Sequence, residues 1–288
     1  MSSHSRLSPI SNGSPSSCRD DCFFTNNSVT LSSSANFASC AWSKCEADYG
    51  GAIFLNVSNS AISLTVSKGE FYSCISSYRG GGIYVEGIGD INITNTIFHQ
   101  CIAQAAENYG GGGIEIDSEK KIPRIDNTDF ILCKSGNDAG GVGIWKSPLT
   151  FQETCILSCR FVQCEINHTL NSDGGSLLLW YSKAAIGCSN TLFTDSYSEL
   201  RGGAASYNIS GNHNSSIPLF IFCFFKNNSA QSNPGNDIYF EGWIPDSPFL
   251  NCFSVTKTNR VYFNGVHDNW LPQDNMCAKP KVAESLAK

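Results

Sequence analysis

Hydrophobic and polar residues alternate in short segments throughout the chain. The alternation is clearest after paired glycines, in IFLNV at 53–57, IYVEG at 83–87, IEID at 114–117 and IYFE at 238–241. A period of two places successive side chains on opposite faces and predicts β-strands, whereas the 3.6-residue period of amphipathic helices is nearly absent. The turn-forming residues Asn, Ser and Gly fill the segments between. The pattern therefore predicts an all-β protein.

Two short motifs recur in strict alternation. The first motif is FASC at 37–40, FYSC at 71–74, FHQC at 98–101, FILC at 130–133 and FVQC at 161–164, and it continues as FTDS at 193–196 and FKNN at 225–228. Each copy is followed by a glycine-rich motif, which is GGAI at 50–53, GGGI at 80–83 and 111–114, GGVGI at 140–144, GGSL at 174–177, GGAA at 202–205 and GNDI at 235–238. The spacing of 27 to 34 residues between phenylalanines is typical of a repeat protein.

A repeat of this length that holds only short strands cannot bury its own apolar face, so it must stack on its neighbours. The sequence therefore predicts a single parallel β-helix of about seven to eight rungs. We expect a flexible N-terminal segment at 1–17, the β-helix with its end caps at 18–271 and a C-terminal tail at 272–288. The glycine pairs are expected at corners that need a positive φ or a close approach of two backbones.

Stacked rungs place equivalent side chains in ladders along the axis. The predicted aromatic ladder consists of Phe37, Phe71, Phe98, Phe130, Phe161, Phe193 and Phe225. The predicted cysteine ladder consists of Cys40, Cys74, Cys101, Cys133 and Cys164. We expect these cysteines to be mostly free, buried thiols, because parallel neighbours hold their Cβ atoms farther apart than a disulfide prefers.

The alternation of FxxN or FxxC with GGA(I/L/V) over residues 22–264 resembles the repeats of chlamydial polymorphic membrane proteins and similar β-helix proteins of protists. The resemblance implies a right-handed parallel β-helix of the pectate-lyase-like kind, with a surface-exposed, adhesin-like role and no established catalysis. This chain mostly has Cys where the bacterial proteins favour Asn, and it is closer to the protist-type proteins than to the barrel-bearing bacterial ones.

Composition and charge exclude several classes of function. The formal net charge is −6, and no basic run is longer than Lys120-Lys121, so we expect no nucleic-acid partner. The longest apolar runs are too short for a spanning helix, and the first residues lack the apolar core of a signal peptide. We expect no membrane insertion by this segment, a secreted or cell-surface location, alone or within a larger chain, and no metal, cofactor or catalytic residue.

One outward strip is a candidate ligand site. If the Ile residues after the glycine pairs point inward, Tyr84, Glu115, Trp145 and Tyr239 point outward, with Glu86 and Asp117 two residues further along their strands. Aromatic rings stack on apolar sugar faces, and carboxylates accept hydrogen bonds from sugar hydroxyls. The alternative is that the aromatic residues only stack on one another and the acids are solvated.

Two functions follow from this sequence. The first is a non-enzymatic, surface-exposed scaffold, adhesin-like, that contacts a protein or a cell-surface glycan. The second is a carbohydrate-binding or polysaccharide-degrading module that uses the aromatic and acidic strip.

Overall fold

The computed structural model describes residues 17–19, 22–104, 110–117, 123–145, 153–166, 173–182, 186–209, 219–231, 235–242, 249–255 and 261–264. The predicted end segments lie outside these residues, apart from Ser17, and so does the C-terminal cap expected before residue 272.

The described residues form 32 strands and no helix. The strands are β1 (Ser17–Arg19), β2 (Phe23–Thr25), β3 (Val29–Leu31), β4 (Ala35–Ala38), β5 (Ala41–Ser43), β6 (Glu46–Tyr49), β7 (Ile53–Ser67), β8 (Glu70–Tyr72), β9 (Ile75–Arg79), β10 (Ile83–Thr94), β11 (Ile97–His99), β12 (Ile102–Ala103), β13 (Ile114–Asp117), β14 (Arg124–Asp126), β15 (Asp129–Ile131), β16 (Lys134–Ser135), β17 (Val142–Trp145), β18 (Glu153–Leu157), β19 (Arg160–Val162), β20 (Glu165–Ile166), β21 (Leu177–Ser182), β22 (Ile186–Ser189), β23 (Leu192–Thr194), β24 (Tyr197–Ser198), β25 (Ala205–Ile209), β26 (Phe220–Ile221), β27 (Phe224–Lys226), β28 (Ser229–Ala230), β29 (Ile238–Gly242), β30 (Phe249–Leu250), β31 (Phe253–Ser254) and β32 (Val261–Asn264).

These strands form three parallel sheets. The first sheet has sixteen strands, contributed by the segments after each glycine motif and before each phenylalanine. The second sheet has nine strands, in the order β2-β5-β8-β11-β15-β19-β23-β27-β31, and the third has seven, in the order β28-β24-β20-β16-β12-β9-β6. Each strand in the second and third sheets pairs with the equivalent strand of the next coil. The predicted all-β parallel solenoid is therefore confirmed.

The predicted number of rungs does not match the structure. The most regular part of the solenoid spans about five turns, from Phe71 to Phe225, where phenylalanine rings stack directly from coil to coil. The prediction of seven to eight rungs counted every copy of the motif as an equal coil. Before Phe71 the stack continues through Trp42 and not through the predicted Phe37.

An aromatic column fills the interior beside the second sheet. Phe71, Phe98, Phe130, Phe161, Phe193 and Phe225 are almost fully buried. Successive rings lie 4.4 to 5.1 Å apart between centroids and are tilted by 7° or less. Burying one such side chain stabilises the fold by roughly 2 to 3 kcal/mol, and the offset stacking adds to this.

Phe37 is not a member of this column. Trp42 takes the expected place, because it pairs with Phe71 in register and its ring stacks 4.5 Å from that ring. Phe37 lies in the first sheet opposite Val66 and meets Trp42 edge-on. The sequence prediction was wrong here because FASC resembles the motif, whereas the true copy is WSKC at 42–45, with Trp in place of Phe.

The first member predicted for the cysteine ladder was also wrong. Cys45, not Cys40, lies three residues after the ring of its coil and continues the column of Cys74, Cys101, Cys133 and Cys164. In the last four members the thiol contacts the backbone carbonyl of the aromatic residue one coil earlier, at 3.4 to 3.8 Å. The five members of this column, Cys45, Cys74, Cys101, Cys133 and Cys164, are buried and free.

Cys40 belongs to a second column at the preceding bend. Its thiol donates to the carbonyl two residues earlier at 3.3 Å, and Thr96, Thr128, Cys159 and Thr191 make the same bond in later coils. The residue between donor and acceptor has a positive φ, at Ser39, Asn95, Asn127, Ser158 and Asn190. Cys and Thr are therefore interchangeable at this bend, because each offers a small donor to a carbonyl at the bend.

The glycine motif forms the tightest corner of each coil. Gly80 has a φ of +61°, which side chains disfavour. A Cβ atom on Gly112 would lie 2.3 Å from the Gly140 carbonyl oxygen of the next coil. Gly80 thus confirms the expected positive φ, and Gly112 confirms the expected close approach of two backbones.

Candidate functional site

Two columns of side chains lie on the outer face of the first sheet. Register pairs Tyr84 with Phe54 on one side and with Glu115 on the other. Two residues further along the same strands, Glu86 pairs with Asn56 and with Asp117. Four predicted strip residues, Tyr84, Glu86, Glu115 and Asp117, are therefore brought together on two adjacent strands, β10 and β13.

Trp145 does not occupy the position predicted for it. Gly143 pairs with Glu115, whereas Trp145 pairs with Asp117 and with Trp180. Val142, and not Ile144, pairs with Ile114, so Trp145 stays on the same face but lies two residues further along its strand than predicted. Tyr239 lies on β29, several strands away from β10 in the first sheet.

Most of the strip is covered rather than exposed, contrary to the prediction of an open face. Tyr84 is only 1% exposed and Glu115 is fully buried. The covering layer over Tyr84 comes from Tyr49 at the end of β6 and from Arg79 at the end of β9. The solvent-exposed surface is therefore formed by these covering residues, and the alternation along the strands did not predict them.

Four rings form an aromatic platform made of Tyr49, Phe54, Tyr78 and Tyr84. Phe54 and Tyr84 stack at 5.3 Å, and Tyr49 and Tyr78 also stack at 5.3 Å. Tyr49 joins the two pairs, at 5.5 Å from Phe54 and 5.7 Å from Tyr84. Tyr49 is 40% exposed and Tyr78 is 51% exposed, so the platform presents aromatic surface to solvent.

Arg79 connects the platform to two carboxyl groups. Its Nη1 donates hydrogen bonds to Tyr84 Oη at 2.9 Å and to Asp117 Oδ2 at 3.3 Å. The same atom lies 3.7 Å from Glu115 Oε1, and the guanidinium carbon lies 5.5 Å from the centre of the Tyr84 ring. These four residues, Arg79, Tyr84, Glu115 and Asp117, are called the Arg79 network below.

Glu115 is the most perturbed acid of this network. Within the described residues, neither of its carboxyl oxygens has a hydrogen-bond partner. The pKa of Glu115 is raised to about 8, first by burial and also by the neighbouring Asp138 and Asp117, against the opposing charge of Arg79. The backbone amide of Gly111 also lowers this pKa, although it does not satisfy hydrogen-bond geometry.

A second arginine network repeats this design further along the axis. Arg201 Nη1 donates to Tyr239 Oη at 3.1 Å and to Glu241 Oε2 at 3.3 Å, and its Nε lies 3.7 Å from Asp173 Oδ1. Burial raises the pKa of Asp173 to about 7. Both arginines directly precede a glycine pair, in RGG at 79–81 and 201–203. That repeated tripeptide is the sequence signal that would have found them.

Two tryptophans lie between the arginine networks. Trp145 and Trp180 contact each other with ring centroids 5.7 Å apart, and Trp145 packs with Ala139 and Leu178 in a small buried cluster. The outer face thus carries aromatic side chains from β7 to β32, in different states of exposure.

The described residues contain no group of three or more His, Cys, Asp or Glu side chains placed to hold a metal ion. No described segment forms a helix of the length and apolarity that crossing a membrane requires.

The fold and this face define a parallel β-solenoid with an aromatic and charged outer surface. Comparison of the chain with protein-family models, with curated proteins and with solved structures finds no match.

Proposed function

We propose that this protein is a non-enzymatic, surface-exposed solenoid, adhesin-like in function, that binds a cell-surface glycan on the aromatic platform. The observation that carries this proposal is the exposure of Tyr49 and Tyr78 in a stack of four rings. Exposed rings pack against the apolar faces of sugars. Asn56 and Glu86, both exposed on the neighbouring column, supply polar groups for sugar hydroxyls.

The strands beneath the aromatic platform provide a rigid support for glycan binding. The platform rests on β7 and β10, which pair along most of their length. A binding surface held by regular strands loses little freedom when a ligand binds, and this favours affinity.

The proposal includes a right-handed winding and a kinship with the polymorphic membrane protein-like repeat proteins. Parallel β crossovers are right-handed in about 98% of cases, which supports the handedness. The ordered alternation of the phenylalanine and glycine motifs supports the kinship. The proposal also places the protein outside the cell or on its surface, alone or within a larger chain, where protease treatment of intact cells would remove it.

Glycan-array binding of single variants tests the function. Tyr78→Ala and Tyr49→Ala are expected to lose most of the array signal, since each removes an exposed ring of the platform. Tyr72→Ala is the matched control, because Tyr72 is also a partly exposed tyrosine but lies on the second sheet. Absence of signal in the parent protein, or equal signals in all three variants, would overturn the proposal.

A polysaccharide-degrading activity is the second candidate, and the perturbed carboxyl of Glu115 favours it. A carboxylic acid with a raised pKa can donate a proton, and Asp117 lies two residues away on the same side of β13. Release of reducing sugar from a polysaccharide panel, abolished by Glu115→Gln, would support this activity over binding alone.

A further inference from the structure

The charge around the aromatic platform is negative once the contacts of Arg79 are considered. Arg79 contacts the platform through Tyr84, and its guanidinium donates hydrogen bonds to Tyr84 and Asp117. Glu86 is exposed on the same side of β10 as Tyr84. Glu86 is exposed to solvent, whereas the charge of Arg79 is balanced by its own partners. The surface therefore attracts cations.

Glu115 adds a second observation to this picture. It is fully buried beside Tyr84 in register, and neither of its oxygens accepts a hydrogen bond from a described residue. A buried carboxyl without hydrogen bonds is costly, and the ion pair with Arg79 offsets part of that cost. Because its pKa is about 8, this carboxyl is mostly protonated in mildly acidic solution, where Glu86 supplies the negative charge of the site.

The fold already uses tyrosine faces to hold cations at two places. The Arg79 guanidinium carbon lies 5.5 Å from the Tyr84 ring centre, and that of Arg201 lies 4.8 Å from the Tyr239 ring centre. In both networks a carboxylate accepts a hydrogen bond from the same arginine. A tyrosine face beside a carboxylate is therefore a cation-binding arrangement that this outer surface repeats.

We infer that the aromatic platform selects glycans that carry ammonium groups, such as N-deacetylated hexosamine polymers, and disfavours polymers of uronic acids. The exposed rings of Tyr49 and Tyr78 bind the sugar face and attract the ammonium group, and Glu86 supplies the opposite charge. This inference rests on the proposed glycan-binding function and specifies the ligand class.

Calorimetric titration in mildly acidic buffer tests the inference with three hexasaccharides of matched length. The probes are β-1,4-linked glucosamine, its N-acetylated counterpart and galacturonate. We expect the amine to bind about tenfold more tightly than the acetylated sugar, and galacturonate to bind more weakly than either. Glu86→Gln should reduce the preference for the amine to about threefold or less, because the affinity for the amine falls more than the affinity for the acetylated sugar.

Glu70→Gln is the matched control, since it removes one exposed negative charge on the second sheet and should leave the preference unchanged. Equal affinity for the amine and the acetylated sugar, or tighter binding of galacturonate, would overturn the charge preference and leave the glycan-binding proposal standing. Failure of all three probes together with an empty glycan array would overturn both.

Discussion

Phe130 lies in the middle of the aromatic column, with the Phe98 ring 5.0 Å away on one side and the Phe161 ring 4.8 Å away on the other. Phe130→Ala should lower the free energy of unfolding by about 3 to 5 kcal/mol, because it removes buried area and leaves a cavity between two rings. The measurement is urea denaturation followed by circular dichroism.

The control for this variant is Ile131→Ala, one residue further along the same strand. Ile131 lies on the outer side of the second sheet and is only partly buried, so its loss should cost about 1 kcal/mol or less. Equal losses in the two variants would mean that the column is not the core.

Glu115 gives the fold a pH dependence of known sign. Its pKa is about 8 in the folded chain and has its ordinary value of 4.5 in the unfolded chain, so unfolding releases a proton between these values. The stability should therefore fall as pH rises from about 4.5 to 8 and level off above that range. The groups that face it are Arg79, Asp117 and Asp138.

Urea midpoints at several pH values for the parent and for Glu115→Gln isolate this effect. The variant should match the parent at low pH and exceed it near pH 8, since a neutral amide has no proton to lose. Asp173 contributes a dependence of the same sign, but it is present in both proteins. Parallel pH profiles for the two proteins would refute the assignment.

At the scale of elements, the glycine corner decides whether neighbouring coils can approach. A Cβ atom on Gly112 would meet the Gly140 carbonyl oxygen at 2.3 Å and the Lys134 carbonyl oxygen at 2.4 Å, and both are backbone atoms. Gly112→Ala should therefore destabilise the fold by about 3 kcal/mol or more. Thermal denaturation of the purified variant measures this loss.

Gly143 offers a matched substitution in the same part of the first sheet. Its added Cβ would find its nearest atom at 3.5 Å, which is ordinary contact. Gly143→Ala should change the stability by about 1 kcal/mol or less. A Gly112→Ala variant as stable as Gly143→Ala would show that the coils do not approach closely at this corner.

The repeat could be predicted from sequence because its most regular residues are the phenylalanines whose side chains point into the interior. Phe71, Phe98 and Phe130 share one position in each coil, and the stacking of coils follows from the short strands. Phe37 and Trp145 were assigned to the wrong positions because the prediction matched sequence motifs and did not know which residues pair between coils. Trp42 was overlooked because it stands where the other coils have Phe.

The covering layer could not be predicted from the strand pattern. Tyr49 and Tyr78 lie at the ends of β6 and β9, outside the alternating segments, and they reach Phe54 and Tyr84 across the outer face. Period-two alternation assigns a side chain to a face of its own sheet, but it does not show what packs over that face. The exposure predicted for Tyr84 and Glu115 was wrong for this reason.

For the whole molecule, stacking of the coils should protect the thiols together. Eleven cysteines of the described residues are buried thiols, and burial raises the pKa of Cys159 and Cys188 to about 12. A neutral, enclosed thiol reacts slowly with alkylating reagents. Mass spectrometry should find these cysteines unmodified by iodoacetamide in the native protein and modified in denaturant; rapid native labelling of Cys159 or Cys188 would contradict the packing.

The central claim is that equivalent residues of successive coils lie in register along one axis. Tyr72 and Lys226 belong to one outer column of the second sheet and are separated by five coil-to-coil steps. Spin labels attached at these two positions by bio-orthogonal chemistry, which spares the native thiols, report their separation by double electron–electron resonance. Register predicts one narrow distance distribution near 24 Å, from steps of about 4.8 Å. A mean above about 35 Å, or no defined distance, would contradict this stacking.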